Sequence, residues 1–295
     1  MEFGEVIESA KKEKLYLGHH ENCGNKVEVF SPVNETRAGS ISYLNDIGQL
    51  TKDPSSLKGI LLVHERIVDI TVLSQFNCDV IVSSDPRYLY ALVYKSMQNK
   101  ETSDQHGGFF ESFAKRGVSS NARIGRLVEL GEDVAIEEGV VVQGRCMIGN
   151  GSRIKANTVI GSRGFGYAIR KGSPPLEMPH NGGVRIGEFV DIGANCTVDQ
   201  GTFSSTIIEN FVKIDNGVHV AHNVQIGTRT LIAAHAEISG SVQVGDDVWI
   251  GPNASIRDHI KVGSGSFIGI GSVVTKDVTP ETVVYGSPAR VHLGT

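Results

Sequence analysis

The 295-residue sequence contains no run of 18 apolar residues, so no membrane-spanning helix is expected. Its first residues, MEFGEVIESAKKEKLYLG, are charged and lack the apolar segment of a signal peptide. The four cysteines, Cys23, Cys78, Cys146 and Cys196, form no C-x-x-C pair. Scattered in this way they read as buried thiols of a reducing compartment, not as a disulfide framework or a zinc site. These absences predict a soluble cytoplasmic protein. There is no basic run either. Lys+Arg 28 against Asp+Glu 33 leaves a formal charge of −5, so no nucleic-acid partner is expected. Aromatics make up only 6%, whereas glycine reaches 35 residues without a collagen period. Few aromatics with many Gly, Val and Ile direct attention to short repeats.

From Val118 an aliphatic residue returns every sixth position: Val118, Ile124, Leu130, Ile136, Val142, Ile148, Ile154, Ile160. After a break the period resumes at Ile186, Ile192 and Val198, slips by four residues, and runs from Ile208 to Val274. None of these anchors is charged. Glycine often follows the anchor (Gly125, Gly149, Gly193, Gly227, Gly251), and a small or β-branched residue comes four after it (Val128, Val134, Thr158, Ala236). A period of six with two inward positions fits a short strand and a tight corner. Three such units close a triangular coil of about 18 residues, whose interior is buried only by stacking on its neighbours. The glycines are expected at corners, where they adopt backbone angles that a Cβ forbids. Chains of this type resemble the hexapeptide-repeat acyltransferase superfamily. The resemblance implies a left-handed parallel β-helix, assembly as a homotrimer, and active sites between subunits.

Outside the repeat, residues 1–105 are predicted to form a small α/β domain. Gly59–Val63 and Asp79–Val82 read as buried strands, and Asp85-Pro86 caps a helix running to Gln98. Residues 106–117 read as a linker with one helical turn, 118–278 as the β-helix, 161–185 as an inserted loop, and 279–295 as a C-terminal cap. A long excursion from a regular solenoid is commonly functional.

Acyl transfer from a thioester to an amine needs a proton acceptor and stabilisation of an oxyanion. Neutral histidine suits the first role, and backbone N–H groups suit the second. There is no Gly-x-Ser-x-Gly elbow and no obvious nucleophilic cysteine, so direct attack by the amine is the simpler reading. Among ten histidines His222 stands out. It lies two residues after anchor Val220, hence outward at a corner; Asp215 precedes it by seven residues, and His259 follows two coils later.

Several segments bring the resemblance closer. Gly164-Phe165-Gly166-Tyr167, Thr197-Val198-Asp199-Gln200-Gly201, Ile214-Asp215-Asn216 and Ala221-His222-Asn223-Val224 are similar to the UDP-3-O-acylglucosamine N-acyltransferases of lipid A synthesis. So are Ser40-Ile41-Ser42-Tyr43-Leu44 and Asp85-Pro86-Arg87-Tyr88, in what would be a uridine-binding domain. The similarity covers about residues 25–260. It implies His222 as general base, Asp215 as its partner, and His259 as an aid at the thioester. It also implies Tyr43 stacked on the pyrimidine, with Asn45, Phe165, Tyr167, Asn216 and Asn223 as further substrate-binding candidates. The chain after Gly271 departs from that pattern: Gly286-Ser287-Pro288-Ala289-Arg290 is similar to the sugar acetyltransferases that use acyl-CoA.

The resulting expectation is an N-acyltransferase that moves an acyl group from acyl-CoA to the amine of a UDP- or dTDP-linked amino sugar. No permanently bound cofactor and no metal are expected, and Lys276 and Arg290 are the cations offered to CoA phosphates. The alternative is the lipid A enzyme itself, with acyl carrier protein as donor. A more remote one is a metalloenzyme of the carbonic anhydrase type, which would need three histidines, such as His219, His222 and His235, to converge across a subunit interface.

Overall fold

A computed structural model describes residues 1–20, 27–46, 50, 53–67, 76–98, 110–111 and 117–292. The chain divides into two compact units. One comprises residues 1–102 and 166–179; the other comprises 103–165 and 180–295.

The first unit holds helix α1 (Phe3–Lys12), strands β1 (Tyr16–His20), β2 (Val29–Phe30), β3 (Ser40–Leu44), β4 (Ile60–His64) and β5 (Asp79–Ser83), and helix α2 (Pro86–Gln98). The sheet order is β1-β5-β4-β3-β2, with β1 antiparallel and the other pairings parallel. Central β4 reads Ile60-Leu61-Leu62-Val63 and is buried throughout those four residues, as a covered parallel strand must be. Helix α2 begins where expected: Asp85 accepts the Tyr88 N–H at 3.0 Å, and Pro86 fills the first turn, where its missing N–H costs nothing. The excursion from the solenoid is not a bare loop. It contains a two-stranded hairpin, Tyr167–Ala168 against Leu176–Glu177, which packs against α2.

The second unit is the left-handed β-helix. Its three parallel sheets run the length of the solenoid, and anchors from Ile124 to Val274 fill one continuous core. Fully burying one such Ile or Val is worth roughly 1.5–3 kcal/mol. Most anchors are completely buried; Val118 and Leu130, near the open end, are partly buried.

The corner chemistry differs from the expectation. Left-handed backbone falls three residues after the anchor, at Asn157, Asn223, His235 and His259 and at glycines such as Gly139 and Gly217. Most glycines directly after an anchor serve close approach instead. A Cβ on Gly193 would lie 2.5 Å from the Asn216 nitrogen, and one on Gly149 would lie 2.6 Å from the Gly187 carbonyl. Successive coils therefore touch backbone to backbone at these points.

Of the expected linker, only 110–111 and 117 fall among the described residues. Phe110–Glu111 is a short strand paired antiparallel with Ile124–Gly125, where a helical turn was expected. At the other end, Val283–Tyr285 and Arg290–Val291 pair antiparallel in the cap. Cys78, Cys146 and Cys196 are buried free thiols, and Cys23 lies outside the described residues. Burial pushes the Cys146 thiol up to about 12, which keeps it protonated and inert. Among the described residues no helix is long and apolar enough to cross a membrane.

Candidate active site

The candidate site forms where the solenoid is interrupted. Val220 and Val224 point into the core and Asn223 takes the left-handed corner at φ 60, so His222 between them turns outward. Its ring is nevertheless half-buried, and Nδ1 is buried with no hydrogen-bond partner among the described residues. Gly164, at the exit of the excursion, lies on the Nδ1 side, where a Cβ would come within 2.7 Å of both Cβ and Nδ1 of His222. His180, at the re-entry, packs its ring edge to face on His222, with centroids 5.2 Å apart and planes at 82°. Gly240, one coil on, lies against the other nitrogen, where a Cβ would come within 2.8 Å of Nε2. With Nδ1 enclosed, Nε2 is the nitrogen left open to a reactant.

The carboxylate that the fold brings to this ring is Asp199, on the strand Thr197–Gln200. That strand pairs with Val159–Arg163, but the register slips after Ile160, where Gly161 sits at φ +85, so that Ser162 comes opposite Asp199. Ser162 Oγ donates to Asp199 Oδ1 at 2.8 Å. Asp199 Oδ2 is 3.8 Å from His219 Nε2, too far for a hydrogen bond but close enough for attraction. Burial raises the Asp199 pKa, while the Ser162 bond and the fields of His219 and His222 act to lower it. Burial lowers the His222 pKa below its ordinary value; Asp199 opposes the shift, and His259 and His219 reinforce it. The outcome is an imidazole that is neutral near pH 7, with one open nitrogen and an anion nearby. This is the arrangement of a general base.

The other expected site residues are distributed as follows. Asp215, expected to orient His222, is exposed and its carboxylate accepts the Asn216 N–H at 2.8 Å; the carboxylate whose charge acts on His222 is that of Asp199. The difference arises because Asp215 lies on a different sheet from the strands that carry Asp199 and His219. His259 is exposed at a left-handed corner, and its backbone N–H donates to Gly240 O. Asn216 and Asn223 use their amide oxygens as struts between coils, accepting from Ala194 N and Thr202 N at 2.8 Å each. Phe165 is 86% exposed on the solenoid side of the excursion, and Tyr167 lies on its hairpin. In the first unit Tyr43 is half-buried, edge to face with Tyr90 at 5.1 Å; burial raises its pKa and Arg87 acts to lower it. Asn45 is exposed just beyond β3. Lys276 and Arg290 are exposed, the latter donating to Ala289 O. Within one chain His219 Nδ1 bonds Thr197 Oγ1 at 2.7 Å, and His235 packs its ring against Gly217. Among the described residues no three His, Cys, Asp or Glu are placed to hold a metal ion.

Sequence reasoning gave no role to Asp199, His180, Gly164 or Gly240. The one available signal for Asp199 was the four-residue slip directly after Val198, which marks irregular backbone at that point. His180 had no signal, because nothing in an irregular excursion says which of its residues folds back.

The bacterial transferase hexapeptide (six repeats) family matches residues 127–162, 205–240 and 241–276, and the hexapeptide repeat of succinyl-transferase matches 183–221. A UDP-3-O-acylglucosamine N-acyltransferase of Chlorobium chlorochromatii is 49% identical over 87 residues, covering 30% of this chain and 24% of that protein. UDP-3-O-acylglucosamine N-acyltransferase 1 of Francisella tularensis is 44% identical over 102 residues, covering 34% of this chain and 29% of that one. These two alignments thus take in less than a third of the relatives' length. The corresponding protein of Coxiella burnetii aligns far more fully, 37% identical over 245 residues, which is 73% of this chain and 69% of the relative. Among solved structures, a UDP-N-acetylglucosamine acyltransferase of Francisella novicida shares the fold, with a TM-score of 0.51 and 21% identity over 59% of this chain and 69% of that chain. On the breadth of the Coxiella match, the chain belongs to the family of the UDP-3-O-acylglucosamine N-acyltransferases.

Proposed function

We propose that the chain transfers an acyl group from a thioester to the amine of a UDP-linked 3-O-acylglucosamine. The observation that carries this reading is the enclosed His222 ring, neutral and open at Nε2, with Asp199 beside it. The amine nitrogen attacks the thioester carbonyl carbon and forms the C–N bond. His222 Nε2 takes the proton that the nitrogen must lose. The C–S bond then breaks, and the imidazolium returns the proton to the departing thiolate. Asp199 stabilises the imidazolium during that interval, so its effect falls on the transition state.

The names of the relatives favour UDP-3-O-acylglucosamine as acceptor over a generic UDP- or dTDP-linked amino sugar. The donor is an acyl phosphopantetheine thioester, a group shared by acyl carrier protein and CoA, with exposed Lys276 and Arg290 available to its phosphate. Tyr43 stacks on the uracil, as aromatic faces do with bases. The active assembly is a homotrimer. Supporting this is an apolar ladder on one sheet face, Leu231, Trp249, Phe267 and Val283, of which Trp249 and Phe267 stack at 6.1 Å and remain exposed in the single chain.

The test is to incubate the protein with UDP-3-O-acylglucosamine and matched acyl thioesters of CoA and of carrier protein, and to detect the amide by mass spectrometry. Amide formation on the UDP sugar is expected. Absence of amide with both donors, or transfer only to a dTDP-linked sugar, would overturn the reading.

A further inference from the structure

His180 has no part in the chemistry above, yet it is 2% exposed and lies directly on the base. An imidazole in the interior carries a desolvation cost, so its place against the base calls for a reason. Its surroundings are also built with unusual care. Asn181 N donates to Thr202 O at 2.8 Å, and Gly182 N donates to Gly201 O at 2.9 Å. Ser205 Oγ donates to Gly182 O at 2.6 Å. Thr202 in turn donates, from its N–H at 2.8 Å and its hydroxyl at 3.0 Å, to Asn223 Oδ1. Asn223 is the residue after His222, and its own N–H donates to Thr206 Oγ1 at 3.0 Å. A frame therefore runs from His180 through 181–182, 201–202 and Asn223 to His222, and the contact between the two imidazole rings closes it.

We propose that His180 is a positioning residue for the base: its ring, fixed by this frame, holds the His222 imidazole in the one orientation that encloses Nδ1 and presents Nε2. This proposal rests on the reading of His222 as base. No other side chain is seen to do this. His222 makes no hydrogen bond through Nδ1, and Asp199 acts on it through charge. Gly164 and Gly240 border the ring with backbone, and without the second ring at its face the His222 imidazole has more room to turn about its Cβ–Cγ bond. A general base turned away from the amine loses the alignment on which its rate depends, and small misplacements cost up to about 10²-fold.

The contact is one of shape, so another flat ring should preserve it and a methyl group should not. His180→Ala is expected to lower kcat by about 10-fold or more, with KM for both substrates within twofold. His180→Phe is expected to keep kcat within about threefold. A second readout needs no substrate: in histidine-labelled protein, the ring-proton resonances of His222 and their through-space contacts to Gly164 and Gly240 report the orientation of the ring. Wild type and His180→Phe should show one ring orientation, and His180→Ala should show averaging. The charges that act on the His222 ring are those of Asp199, His259 and His219, and His180 packs on it. Thermal unfolding of each variant shows whether the frame has survived. Unchanged kcat and unchanged His222 resonances in His180→Ala would overturn the proposal. So would a His180→Phe variant that is folded but as impaired as the alanine. An inactive wild type whose His222 resonances still respond to His180→Ala would refute the acyltransferase reading and leave the positioning role in place.

Discussion

Two stretches of the same solenoid behave differently. From Ile208 to Val274 the coils repeat without interruption, and their interior is a ladder of aliphatic residues with only the small hydroxyls of Thr230, Ser266 and Ser272 buried beside it among the described residues. Between Ile160 and Ile208 the period breaks twice, a hairpin leaves and returns, and Asp199, Thr206 and His180 are buried. His222 and His235 both point outward from the regular stretch. His235 stands exposed at its corner, whereas His222 is enclosed because the neighbouring interrupted part supplies Gly164, His180 and Asp199. A place in the repeat decides only that a side chain points outward. The irregular backbone decides whether it acquires a wall and a charge.

That contrast predicts a sharp division of mutational effects. The largest is expected at the base: His222→Ala should lower kcat by roughly 10²–10⁴-fold with thermal unfolding unchanged, whereas His235→Ala should leave kcat within twofold. An equal loss in both would break the comparison. Next comes Gly240→Ala. Its Cβ would lie 2.8 Å from His222 Nε2, so a fall in kcat/KM of about 10²-fold is expected, read by steady-state kinetics. At an interior anchor the effect moves from rate to stability. Ile250→Ala should cost about 2–5 kcal/mol in denaturant unfolding, because it empties a fully buried anchor. The surviving folded fraction should keep normal turnover.

How much of this was readable in advance follows from the same division. The β-helix was legible because each anchor, from Ile124 to Val274, repeats the geometry of the one before, so periodicity alone carries the fold. His222 was legible as an outward residue for the same reason. Its partner was not. Asp215 looked suitable by distance along the chain, but each coil has three sides, and Asp215 sits on another sheet, capping the Asn216 N–H. Asp199 reaches the site through a register slip at Gly161; the four-residue break after Val198 marks irregular backbone there but not which side chain turns toward His222. In the first unit, β4 and β5 showed as apolar runs and α2 showed through its Asp85-Pro86 cap. Helix α1 and strand β1 did not show, because their burial depends on each other and on the sheet.

A smaller effect sharpens the view of the first unit. Tyr43→Ala should raise KM for the UDP sugar by about tenfold with kcat nearly constant, since a stacking contact is present in ground and transition states alike. A fall in kcat at unchanged KM would place the base of the nucleotide elsewhere.

The account turns on His222 acting as base under the field of Asp199, and the pH dependence of kcat/KM tests it directly. His222 must be neutral to accept a proton and the substrate amine must be neutral to attack, so with the amine's own ionisation divided out, activity should rise with pH along an acid limb that burial of His222 places below the ordinary value of 6.5. Removing the anion favours the neutral ring, so Asp199→Asn should move that limb to still lower pH while cutting the plateau by about 10-fold, the loss of imidazolium stabilisation. Asp215→Asn should leave both unchanged. A limb that moves in Asp215→Asn and stays fixed in Asp199→Asn would contradict the account.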